Sequence, residues 1–108
     1  MVAAPQDSFS VLEQARQHHR LGRLPEAEAA YRQVLASADA PALAFHGLGA
    51  LLSRRDACAE ALPLLRRALE MQPAEPDFWL DYAATFLLAG QADEAQHILT
   101  LAAQHGMG

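Results

Sequence analysis

Lysine is absent from this chain, and residues 68–108 contain no arginine either. All eight arginines lie within residues 1–67, where seven acids give that stretch a net charge of +1. Residues 68–108 hold six acids (Glu70, Glu75, Asp77, Asp81, Asp93 and Glu94) and a net charge of −6. An acidic chain without a basic stripe argues against nucleic-acid binding, because phosphate neutralisation supplies most of that affinity. A single cysteine, Cys58, excludes an internal disulfide framework and fits a reducing compartment. Residues such as His46, Ser53 and Asp81 interrupt every apolar run before it reaches the length of a membrane-spanning helix. Residues 1–8 have neither a basic cluster nor an apolar core, which argues against a secretory signal and leaves the cytoplasm as the expected location. β-branched residues are scarce, which favours helix over strand. There is no Gly-rich phosphate loop, no HExxH, no CxxC and no Gly-x-Ser-x-Gly elbow. Titratable groups do not converge in the sequence, so the chain reads as non-catalytic and without a cofactor.

What is present is a period. Ala27, Ala61 and Ala95 lie 34 residues apart, and other columns keep the same register. Val11, Phe45 and Trp79 form one such column, and Ala15, Gly49 and Ala83 another; Tyr31, Leu65 and Leu99 form a third, and Val34, Ala68 and Ala102 a fourth. A period of this size marks an array of one supersecondary unit. With 108 residues, 52% of them apolar, the chain is long enough for one domain with its own core.

Breakers recur at Gly22–Pro25, Asp39–Pro41, Arg54–Asp56, Pro73–Pro76 and Gly90. Between them, apolar residues step by three and four, as on amphipathic helices. The spacing predicts helices over 8–21, 25–38, 41–54, 57–71, 76–89 and 92–104. Pro25 and Pro76 suit a first helical turn, Asp39 and Asp56 are candidate N-caps, and Gly22 and Gly90 fit the left-handed residue that ends a helix. Pro63 falls in the second turn of the fourth helix, which must either start late or bend there. Residues 1–7 read as a disordered tail. Small residues in some columns and large ones in others suit interdigitating helices, and stacked hairpins together bury what one alone cannot.

These columns resemble the tetratricopeptide repeat. The second repeat carries the motif most fully, with Phe45, Leu48, Gly49, Leu52, Ala61, Leu65, Ala68 and Pro73. The third supplies Trp79, Tyr82, Ala83, Phe86, Gly90, Ala95, Leu99 and Ala102. The first departs most, with Gln14, His18 and Asp39 at motif positions. The resemblance implies an all-α, right-handed solenoid of three antiparallel hairpins, at 8–41, 42–75 and 76–108. It also implies a scaffold that binds a protein or peptide in a concave groove lined by the first helix of each repeat. Carried onto this chain, the groove takes Phe9, Leu12, Arg16, His19 and Arg20 from the first repeat, then Leu43, His46, Ala50, Ser53 and Arg54 from the second. The third contributes Asp77, Leu80, Ala84, Leu87 and Leu88. Such a surface grades from basic through apolar to acidic, and the clustered arginines suit an acidic or C-terminal carboxylate ligand. The family's chaperone-tail binders need Lys, Asn and Arg where this chain has Leu12, Arg16, Gly47, Asp77 and Asp81. The charge reversal at the fifth helix predicts no grip on an acidic chaperone tail.

The bland readings are structural. Cys58 shares a column with Leu24 and Ala92 and reads as a small buried hydrophobe. His18, His19, His46, His97 and His105 have neither the i, i+4 spacing nor the cysteine support of a metal site. His18 reads as a partly buried ring with one hydrogen bond. The fifth helix is apolar almost all round and the sixth carries Ile98, Leu99, Leu101 and Ala102, so the last hairpin is expected to pack onto more chain or onto a second copy. The stretch from Gln17 to Glu28 resembles arrays fused ahead of bacterial glycosyltransferase-like domains. That resemblance implies a substrate-positioning arm of a larger enzyme; a free-standing dimeric adaptor or secretion-type chaperone is the alternative.

Overall fold

A computed structural model describes residues 8–106, so the tail expected at residues 1–7 lies outside the described residues. Six helices follow one another: α1 (Ser8–Arg20), α2 (Leu24–Leu35), α3 (Ala42–Arg54), α4 (Cys58–Met71), α5 (Pro76–Leu88) and α6 (Ala92–Gln104). The described residues contain no strand. Helices pair as hairpins α1–α2, α3–α4 and α5–α6, and each hairpin packs on the next through α2–α3 and α4–α5. α2 ends three residues earlier than its periodicity suggests, because Ser37–Asp39 take a turn instead. Pro63 lies inside α4, which nevertheless starts at Cys58 rather than late.

The helix ends repeat as regularly as the helices. Arg23 N–H donates to His18 C=O at 2.8 Å, Ala57 to Leu52 at 2.9 Å, and Gln91 to Phe86 at 2.8 Å. The inner bonds, Gly22 to His19, Asp56 to Ser53 and Gly90 to Leu87, complete the same left-handed C-terminal motif three times. Gly22 (φ 76°), Asp56 (φ 62°) and Gly90 (φ 79°) are the positive-φ residues that make it possible, and they stand 34 residues apart. Asp56 is therefore not the N-cap its type suggested. The residue before α4 is Ala57, the one before α3 is Pro41, and neither position makes a side-chain cap bond, so Asp39 is not a cap either. The first turns carry acids instead, with Glu26, Glu60 and Glu94 in one column, where the positive end of the helix dipole favours them.

The core follows the columns. Ala27, Ala61 and Ala95 are buried, as are Ala15, Gly49 and Ala83, and they let helices approach closely. A Cβ at Gly49 would lie 2.7 Å from Leu65 Cγ, so the α3–α4 approach requires glycine there. One buried cluster joins α1 to α4 around Leu48, Leu51 and Leu65; a second joins α3 to α6 around Phe78 and Trp79. Phe45 and Tyr82 pack against both. Trp79 also donates its indole N–H to Pro73 C=O at 2.7 Å, which pins the α4–α5 connection. Cys58 is only half-buried, because its column marks the first residue of each second helix rather than a core position. His18 Nδ1 is buried and has no hydrogen-bond partner, contrary to the expected single bond.

Candidate functional site: a cleft between the first helices

Because α1, α3 and the start of α5 lie on one side of the stack, their exposed faces converge on a cleft of about 580 Å³. Arg16, His19 and Arg20 line it from α1, Leu43, His46, Ala50 and Arg54 from α3, and Asp77 from the first turn of α5. Tyr31, Gly47, Phe78 and Glu75 line it too, and column reasoning did not assign them there. Tyr31 belongs to a second helix and reads as core from sequence. It is core, 2% exposed, and its ring also reaches between α1 and α3 to the cleft, where an added Cβ at Gly47 would lie 2.4 Å from it. The missing side chain at Gly47, between larger neighbours, was the available signal.

The remaining expected residues go elsewhere. Leu12 is buried in the α1–α4 core and does not reach the cleft. Ser53 is buried as well, under α5, where its hydroxyl lies 3.0 Å from that of Thr85. Thr85 donates its proton to Asp81 C=O at 2.8 Å and accepts from Ser53. Phe9, Leu80, Ala84, Leu87 and Leu88 are exposed but do not line the cleft.

The cleft has two electrostatic sides. On the basic side, Arg16 pairs with Glu13 at 3.2 Å, while Arg20 and Arg54 form no ion pair among the described residues. His19 Nδ1 and Tyr31 Oη share a hydrogen bond of 3.2 Å, its direction following the ring tautomer. Burial, and then the positive charges at Arg54 and His46, hold His19 below its ordinary pKa, so its neutral form is favoured. Burial also pushes the Tyr31 phenol up, while Arg16 and Arg20 pull it back. On the acidic side stand Glu75 and Asp77. Asp81 is not free to join them, because His46 Nε2 lies 2.6 Å from its carboxylate while the His46 ring stacks on Phe78 at 4.5 Å. Among the described residues no three metal-ligating side chains come together, and no helix is long and apolar enough to cross a membrane.

A family model described as tetratricopeptide repeat matches residues 55–106. Residues 55–106 are tetratricopeptide repeats, and the stack of six helices fits a tetratricopeptide solenoid. The match begins at the end of α3 and runs through α6, and the repeated helix ends at Gly22, Asp56 and Gly90 extend the register to the first hairpin. No curated protein matches the chain. Tetratricopeptide repeats are protein–protein interaction modules built by stacking helices into an extended recognition surface.

Proposed function

We propose that this tetratricopeptide array is a non-catalytic binding module that holds a peptide segment of a protein partner in the cleft between α1, α3 and α5. The observation that carries the reading is the opposition of charges across that cleft. Arg20 and Arg54, without ion-pair partners among the described residues, stand on one side, Glu75 and Asp77 on the other, with Leu43, Ala50 and Phe78 between. A segment that suits it is acidic at one end, apolar in the middle and basic at the other. Guanidinium groups grip carboxylates through paired N–H donors, which gives the acidic end its orientation. A uniformly acidic tail places like charge against Glu75 and Asp77, and so binds worse than a bipolar one.

The test is fluorescence anisotropy with a synthetic peptide carrying two glutamates, an Ala/Leu centre and two lysines. We expect binding that weakens with salt and is lost in the Arg20→Glu, Arg54→Glu double variant, with helicity unchanged. Equal affinity of that variant, or tighter binding of an all-glutamate peptide than of the bipolar one, contradicts the reading.

A further inference from the structure

The repeat does not require a polar pair where His19 meets Tyr31. One and two repeats on, the same columns carry Ser53 with Leu65 and Leu87 with Leu99, and neither pair can share a side-chain hydrogen bond. In the first hairpin the two rings meet edge to face with centroids 5.9 Å apart, and His19 Nδ1 lies 3.2 Å from Tyr31 Oη. Both residues line the cleft, so a polar pair that packing does not demand stands where a ligand would lie.

The surroundings leave this pair short of negative charge. On its own helix His19 has Arg16 and Arg20 for company, with Glu13 engaged by Arg16. From α2 comes Tyr31, and from α3 come His46 and Arg54. From α5, Asp81 is engaged by His46, while Glu75 and Asp77 line the acidic side. Burial first, then the charges at Arg54 and His46, favour a neutral His19 ring in the free chain. A carboxylate held at Arg20 and Arg54 reverses that balance, because a nearby opposite charge favours the imidazolium. An imidazolium is a donor at both ring nitrogens. Its Nδ1–H then donates to Tyr31 Oη, which leaves the tyrosine O–H to donate to the ligand carboxylate.

We infer that His19 and Tyr31 read the acidic end of the ligand, and that this end enters the cleft together with one proton, taken from solvent onto His19. The coupling rests on the cleft reading and adds to it a property that arginines alone do not give. Affinity rises as pH falls through the histidine range, because the ligand-bound chain holds the proton more tightly than the free chain.

The probe is the bipolar glutamate–lysine peptide with both ends blocked, titrated into the full chain between about pH 8 and about pH 6, where its own side chains keep their charges. Affinity should rise by about three- to tenfold over that span, and calorimetry in buffers of different ionisation enthalpy should show up to roughly one proton taken up per peptide bound. His19→Gln should flatten the profile, and Tyr31→Phe should weaken binding more at the acid end than at the alkaline end. His97→Gln, at an exposed position of α6, should leave the slope as it is. Histidine-ring NMR on the parent chain needs no variant: His19 should titrate at higher pH with peptide than without. Binding without pH dependence, a slope that survives His19→Gln or vanishes only with His46→Gln, or a His19 titration unmoved by peptide overturns the coupling and leaves the cleft reading standing. No binding at any pH overturns both.

Discussion

The joint between the first and second hairpins and the joint between the second and third share one register but use different chemistry. At the first, the Tyr31 ring lies against Gly47, and an exposed network of Glu28, Arg32, Arg55 and Glu60 ties α2 to α4 and to the end of α3. At the second, the polar contacts move inward. Ser53 and Thr85 pair in a buried position, His46 bridges to Asp81, and Trp79 fixes the connection before α5. The period therefore dictates where backbones approach, and each joint satisfies that approach with whichever side chains fill the gap. Ring-against-glycine packing tolerates no added atom, whereas surface ion pairs lose little when broken.

Trp79→Ala should cost most. The residue is 7% exposed and fills the second cluster, so about 3–5 kcal/mol is expected by urea denaturation. A loss under about 1 kcal/mol would mean the second joint does not depend on it. Next comes Gly47→Ala at the first joint. The new methyl must displace the Tyr31 ring, costing about 1–3 kcal/mol against a helix-propensity gain of roughly 1 kcal/mol. A net stabilisation, with the tyrosine near-UV signal unchanged, would show that the ring moves freely. Arg32→Ala removes the exposed network that spans the first joint, and its effect should stay below about 1 kcal/mol and shrink further in high salt.

The smallest effect is a pH dependence. His19 has a lowered pKa in the folded chain, so the unfolded chain binds the proton more readily. Its contribution to stability is complete above the ordinary histidine pKa of 6.5 and is lost as pH falls below that value. His19→Gln should therefore show a shallower fall in urea midpoint than the parent between about pH 7.5 and about pH 5. Arg54→Ala, which removes one of the charges opposing protonation, should soften the fall too. Identical pH profiles for all three would remove His19 from the account.

The helices were legible because small and large columns recur at one step, and the same step marks Gly22, Asp56 and Gly90 as equivalent helix ends. Asp56 was misread because aspartate also suits an N-cap; only its place in the glycine column identifies it as left-handed. The basic side of the cleft was legible from the facing positions of α1 and α3. Leu12 was not, because burial depends on whether another hairpin covers a position. Leu12 and Leu80 share a column, yet the second hairpin packs over one and no described residue shields the other to that degree. Tyr31 was out of reach for a related reason: its role depends on Gly47, on a different helix, leaving room.

The most direct test of the central claim is amide chemical-shift mapping of the chain with the bipolar glutamate–lysine peptide. The cleft account predicts shifts centred on Arg16, His19, Arg20, Ala50 and Arg54, with smaller ones near Glu75 and Asp77. Shifts confined to the outer face of α2 and α4, with those residues unmoved, would contradict it.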